Sequence, residues 1–175
     1  MGMVHGRFQP FHIEQLQYIL SGLAKCDFLT IGITNPDPTE FKFESRSNHR
    51  HLSDANPFSF YQRAHMINES LIDIKIDLNR ITITPFHLFD STKWKYYLPS
   101  VKSTVQFVRI FSPWEQKKVK LFEDYGFKVV IIDQGIKKNI EATEVRRRMK
   151  NGEDWKALVP NGTARVIEKI NNALI

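Results

Sequence analysis

The chain has 175 residues, 42% of them hydrophobic and 25% charged, which excludes a disordered chain and predicts one folded domain over residues 1–175. Its apolar runs are too short for a membrane helix of about 20 residues, and its single cysteine, Cys26, excludes an internal disulfide and a cysteine-based zinc site. The net charge of +6 favours phosphate-bearing ligands. Because the N-terminal residues also lack the apolar segment of a signal peptide, we expect a cytoplasmic protein.

Strand and helix patterns alternate along the chain. Strands are predicted at residues 3–5, 28–33, 81–84, 104–110 and 128–133. Helices are predicted at residues 11–25, 59–72, 91–98, 115–125 and 143–150, with a last one beyond Pro160. Parallel strands need crossovers, which are usually helices. The alternation therefore predicts an α/β fold with a mostly parallel sheet covered on both faces.

One connection, residues 34–56, is longer than most loops in compact domains and is rich in Asn, Pro, Ser, Asp and Arg. Such a loop is typically a lid or disordered. It contains His49 and His51, but two histidines in a polar loop are more often solvated than bound to metal. We therefore predict no metal ligands there.

The segment between the first strand and the first helix reads Gly6-Arg7-Phe8-Gln9-Pro10-Phe11-His12. In open α/β sheets, ligands bind at this turn, outside the carboxyl ends of the strands. A glycine lets the backbone approach a phosphate, an arginine supplies donors for its oxygens, and a helix N-terminus adds N–H groups and partial positive charge. His12 in the first helical turn, with Gln15 along the same face, would line the same anion site.

This opening segment resembles that of the archaeal-type nicotinamide-nucleotide adenylyltransferases, within the nucleotidyltransferase superfamily. Outside residues 34–56, the similarity spans almost the whole chain. It continues at residues 56–58, 63, 66–67, 94, 121–126, 143–149, 151–153, 155 and 158–160. It implies a doubly wound, Rossmann-like, five-stranded parallel sheet with helices on both faces.

The resemblance also implies a reaction: AMP is transferred from ATP, with Mg²⁺, to nicotinamide mononucleotide, giving NAD and pyrophosphate. By the same match, catalysis would involve Arg7, His12, Gln15 and Arg146. Nucleotide binding would involve Gly6, Arg7, Phe8, His12, Thr143 and Arg146, and acceptor binding Asn56, Arg63 and Trp94. Without the matched context, Arg63 and Arg146 would be ordinary solvent-facing helix residues and Trp94 a core residue.

The chain departs from the superfamily pattern at three places. Gln15 replaces the second histidine of the His-x-Gly-His motif, and Glu14 replaces its glycine. Glu141 stands where the family usually has serine, and residues 112–115 replace an expected Gly-Asn-Pro turn. A glutamine donates a neutral hydrogen bond but carries no proton charge toward leaving pyrophosphate, and losing one such stabiliser costs roughly 100- to 1,000-fold in rate elsewhere.

These departures keep alternatives open. One is the same transfer with another nucleotide donor or another phosphorylated acceptor. A second is a nucleotide-binding protein that has lost catalysis. A nucleic-acid binder is weaker still, because the charge is moderate and no RNA or DNA motif occurs. The oligomeric state, including a homo-oligomer, is not fixed by the sequence.

Overall fold

The structure of the protein, a computed structural model, describes residues 1–37 and 53–173. Within these residues, five strands form one parallel sheet in the order β3-β2-β1-β4-β5. The strands are β1 (Gly2–Gly6), β2 (Leu29–Thr34), β3 (Ile81–Phe86), β4 (Val105–Val108) and β5 (Lys128–Ile131). This order confirms the predicted doubly wound fold, in which the chain returns to the middle of the sheet and then builds the other half.

Helices connect the strands and follow the last one. They are α1 (Ile13–Leu23), α2 (Phe60–Asp73), the short α3 (Trp94–Tyr97), α4 (Pro113–Tyr125), α5 (Ala142–Asn151) and α6 (Asn161–Ala173). The helix predicted at residues 91–98 is a 3₁₀ turn, Ser91–Lys93, followed by the single turn of α3. None of the described helices has the length and apolarity needed to cross a membrane.

Local sequence signals account for several helix ends. Ser59 Oγ accepts from the N–H of Gln62, and Gln62 Oε1 accepts from the N–H of Ser59, so α2 begins with a capping box, whose signature is a serine followed three residues later by glutamine. Gly152 caps the end of α5 at φ 67°, in the left-handed region that glycine adopts without strain.

Two hydrophobic clusters cover the two faces of the sheet. Val4 points to a cluster formed with α1, α2 and α6, while Met3 points to a cluster formed with α3 and α4. Side chains alternate across a strand, so β1 is buried on both faces. The central position of β1 brings its carboxyl end, and the bend that follows, to the middle of one sheet edge.

The long connection predicted at residues 34–56 falls mostly outside the described residues, and so do His49 and His51. The described ends are Thr34 through Asp37 and a 3₁₀ turn at Ser53–Ala55.

Candidate functional site

A cleft of about 570 Å³ lies at the carboxyl edge of the sheet. Its volume is within the range of small-molecule sites, roughly 300 to 1,000 Å³. It is bordered by the end of β1, the start of α1, the segment after β4 and the start of α5. The predicted site residues that line it are Gly6, Arg7, Phe8, His12, Gln15, Thr143 and Arg146.

The bend between β1 and α1 is held by Gln9. Its side chain donates from Nε2 to the carbonyl of Phe58 at 2.8 Å and accepts from the N–H of Phe58 at 3.0 Å. Phe8 has a φ of 54° and is fully buried, with its ring beneath Gly6. A Cβ at Gly6 would meet that ring at 2.9 Å, so packing against Phe8 is one reason for glycine there.

Two helices begin at this cleft, and each contributes its positive end. In α1, Gln15 Oε1 accepts from the N–H of His12 at 3.2 Å, which leaves its amide NH₂ as the remaining donor. In α5, Arg146 donates from Nη1 to the carbonyl of Gln9 at 2.5 Å, and from Nη2 to Thr143 Oγ1 at 3.3 Å. Arg146 therefore ties the start of α5 to the bend.

The imidazole of His12 is buried at the centre of this arrangement, with 4% of its surface exposed. Its Nδ1 has no hydrogen-bond partner among residues 1–37 and 53–173. Burial, together with nearby Lys138, lowers the pKa of His12 to about 4. At neutral pH the imidazole is therefore uncharged.

The described lining of the cleft carries more positive than negative side chains. The cations are Arg7, Arg109, Lys118, Lys138 and Arg146, and the carboxylates are Glu14, Glu115 and Glu141. Lys138 Nζ lies 2.7 Å from Glu141 Oε1, so this carboxylate is paired with a cation. The excess of positive charge suits a polyphosphate.

Arg109 and Asp133 were not singled out from the sequence. Arg109 is 9% exposed, donates from Nε to Asp133 Oδ2 at 2.6 Å and from Nη1 to the carbonyl of Glu14 at 2.8 Å. Its guanidinium also lies 5.2 Å from the centre of the Tyr18 ring. Both residues follow a strand at the carboxyl edge, and that position was the signal that could have found them.

Comparison with known proteins agrees with this geometry, although no family model matches the chain. It is 33% identical over 168 residues to a phosphonoformate cytidylyltransferase from Streptomyces viridochromogenes, covering 96% of this chain and 90% of the relative. It is 30% identical over 169 residues to a nicotinamide-nucleotide adenylyltransferase from Methanococcus aeolicus, covering 97% of the chain and 88% of the relative. The chain belongs to the nucleotidyltransferase family of the archaeal nicotinamide-nucleotide adenylyltransferases. The resemblance drawn from the motifs is thereby confirmed.

A solved structure from Francisella tularensis, a bifunctional NMN adenylyltransferase/ADP ribose pyrophosphatase, has the same fold as this nucleotidyltransferase, with a TM-score of 0.71. The identity is 23%, and the match covers 97% of this chain and 49% of that structure's chain. The chain therefore spans about half the length of that protein.

Arg63, predicted on the acceptor side of this nucleotidyltransferase, is buried against backbone carbonyls. It is 1% exposed, and it donates to the carbonyls of Arg7 and Thr34 at 2.8 Å each. It also donates to the carbonyls of Asn35 and Ser59. Four of the five guanidinium N–H groups thus hold backbone, three at the ends of β1 and β2 and one at the start of α2.

Trp94, also predicted on the acceptor side, is in the core and does not line the cleft. It is 1% exposed, packs against Phe86, Phe122 and Tyr125, and donates from Nε1 to the carbonyl of His87 at 2.8 Å. Asn56 follows Ala55, which lines the cleft, but it is not itself part of the lining. The cleft is therefore lined by residues predicted for nucleotide binding, whereas Asn56, Arg63 and Trp94, predicted for acceptor binding, are not part of its lining.

Proposed function

We propose that the protein transfers the nucleoside monophosphate group of a nucleoside triphosphate to a phosphate- or phosphonate-bearing small molecule and releases pyrophosphate. The convergence of two helix N-termini with Arg7 and Arg146 around His12, whose Nδ1 has no partner in the described part of the chain, carries the proposal. The anionic acceptor oxygen attacks the α-phosphorus, and the bond from that phosphorus to the bridging oxygen of the β-phosphate breaks. A phosphate nucleophile is already ionised at neutral pH, so alignment and charge stabilisation suffice without a general base.

The leading donor and acceptor are ATP and nicotinamide mononucleotide, with NAD as product. Family membership supports this pair, since archaeal relatives 25–30% identical to the chain are nicotinamide-nucleotide adenylyltransferases. The neutral His12, the arginines and the NH₂ of Gln15 would receive the triphosphate.

A second candidate is CMP transfer from CTP to a small phosphonate. The relative at 33% identity is a phosphonoformate cytidylyltransferase.

Mg²⁺ is proposed to enter with the triphosphate. No group of three histidine, cysteine or acidic residues able to hold a metal occurs in the described part of the chain. Magnesium is commonly held by substrate phosphates and waters with few protein ligands, so this cleft fits a triphosphate-bound ion. Its contribution would be to neutralise charge on the phosphates.

The deciding experiment pairs ATP or CTP with nicotinamide mononucleotide or phosphonoformate, in the presence of Mg²⁺, and identifies products by mass. We expect one pair to give a nucleotidylated product with an equal amount of pyrophosphate. The Gln15→His variant should be faster with that pair, because an imidazolium places positive charge at the leaving pyrophosphate. Triphosphate binding without product or pyrophosphate for every pair would instead support a protein that has lost catalysis.

A further inference from the structure

Glu14, where the superfamily pattern has glycine, uses one carboxylate oxygen to fix a loop. Its Oε1 accepts from the N–H of Asn139 at 2.7 Å and from the N–H of Ile140 at 3.1 Å. These two N–H groups belong to the segment that leads into α5. The carboxylate therefore connects the first turn of α1 to the start of α5 across the cleft.

The second oxygen of the same carboxylate, Oε2, does not bond to this loop. Within the described residues, no hydrogen bond reaches Glu14 Oε2, and Glu14 lines the cleft. Arg109 contacts the backbone carbonyl of Glu14 and pairs with Asp133, so it does not occupy the carboxylate. Oε2 is left as a hydrogen-bond acceptor at the cleft.

The same contact with Arg109 places Glu14 beside the segment that follows β4. Two residues after Arg109, Phe111 lines the same cleft and is 40% exposed. An exposed aromatic ring offers a face on which a nucleobase can stack, and such stacking is tolerant of the identity of the base. The carboxylate and the ring thus both line the cleft.

A carboxylate repels phosphates and only accepts hydrogen bonds, so it meets a nucleotide at a donor group. Adenine and cytosine both carry an exocyclic amino group, whereas hypoxanthine and uracil carry a carbonyl oxygen at the corresponding position. We propose that Glu14 Oε2 accepts a hydrogen bond from the exocyclic amino group of the donor nucleobase, while the base stacks on Phe111. This rests on the proposed function, and it selects ATP and CTP over ITP and UTP.

The Glu14→Gln variant tests this selection sharply. Its amide oxygen still accepts from Asn139 and Ile140, so the loop stays fixed, but its other group becomes an NH₂ donor that suits a carbonyl. Calorimetric affinities for ATP, ITP, CTP and UTP are measured without acceptor. We expect the wild-type protein to prefer the amino base of each pair by about 10- to 100-fold, and the variant to lose or invert that preference.

Glu141→Gln is the matched control, because it also removes one carboxylate from the cleft lining. It should change all four affinities by a similar factor and leave the amino-to-keto ratios as in the wild type.

Three outcomes would overturn the inference. Equal wild-type affinities for ATP and ITP would do so whether or not the variant folds, and so would a Glu14→Gln variant with wild-type ratios. If the variant keeps the wild-type ratios, and if only the wild-type protein binds 2′-deoxy-ATP more weakly than ATP, then Glu14 contacts the ribose rather than the base. If none of the four triphosphates binds to the wild-type protein, the proposed function fails together with this inference. If they bind without a preference for the amino bases, only this inference fails.

Discussion

At the scale of single residues, the buried imidazole of His12 couples protonation to folding. Its pKa is about 4 in the folded protein, mainly because burial disfavours the charged form, and roughly 6.5 in an unfolded chain. Between these values the unfolded state binds more protons than the folded state. The stabilisation is therefore present above about pH 6.5 and is lost as the pH falls toward 4.

We accordingly expect the free energy of unfolding to fall between pH 6.5 and 4, with a contribution from His12 of up to about 3 kcal/mol. Burial also lowers the pKa of His5, which adds to the fall. The His12→Gln variant lacks one titrating group, so its free energy of unfolding should decline less steeply over this pH range than that of the wild-type protein. Urea unfolding at pH 7, 5.5 and 4.5 measures the difference. Parallel pH profiles for the two proteins would contradict a buried neutral His12.

Residue identity and spacing could predict which side chains border the cleft near the bend, but not how buried helix residues are used. Arg7, His12 and Arg146 lie at the cleft because strand and helix ends fix their positions. Arg63 and Trp94 match family positions equally well. The structure, however, shows the Arg63 guanidinium bonded to four backbone carbonyls and the Trp94 ring packed in an aromatic cluster. Those partners come from distant parts of the chain, which periodicity cannot reveal.

At the scale of elements, α2 and α6 pack with their backbones in close approach at Gly162. A Cβ at Gly162 would lie 2.4 Å from the carbonyl carbon of Glu69 and from the nitrogen of Ser70. Next to this contact, Ser70 Oγ and Thr163 Oγ1 form a buried hydrogen bond at 3.1 Å. Backbone atoms cannot rotate away as side chains do, so the helices would have to separate.

Gly162→Ala should therefore destabilise the protein by about 1 to 3 kcal/mol, as overpacked core substitutions typically do. Alanine has a better helix propensity than glycine, by about 1 kcal/mol, and this gain offsets only part of the loss from overpacking at the upper end of that range. Thermal unfolding measures the net change, and Lys169→Ala, at an exposed position of the same helix, is the control. A Gly162→Ala variant as stable as the control would mean that the two helices can move apart freely.

Element boundaries follow from local chemistry where a cap or a special glycine sets them. The capping box of Ser59 and Gln62 and the positive φ of Gly126 and Gly152 are features of this kind. The helix predicted at residues 91–98 is instead a 3₁₀ turn followed by the single turn of α3, and Trp94 at their junction donates to the carbonyl of His87 and packs in the aromatic core. The conformation of residues 91–98 therefore depends on tertiary packing, which local sequence signals do not reveal.

At the scale of the whole molecule, the sheet order concentrates charge at one edge. The turn after β1, the segment after β4 and the start of α5 each bring cations to the same cleft. Alternation of strands and helices could predict this edge as the binding site. The pairing of Arg109 with Asp133 could not be predicted, since it needs the spatial adjacency of β4 and β5.

Inorganic tripolyphosphate, which lacks base and ribose, isolates this charge effect. At about 100 times its dissociation constant a ligand adds about 2.7 kcal/mol of stability, which for a protein of this size corresponds to a rise in Tm of roughly 5 to 10 °C. Arg146→Ala should weaken binding by about 10- to 100-fold and remove much of the rise.

Arg165→Ala is the matched control, because Arg165 pairs with Glu69 and Asp73 away from the cleft. Added salt should reduce the rise in the wild type, since screening weakens binding between exposed charges. A rise that Arg146→Ala and salt both leave unchanged would show that the anion binds elsewhere on the molecule.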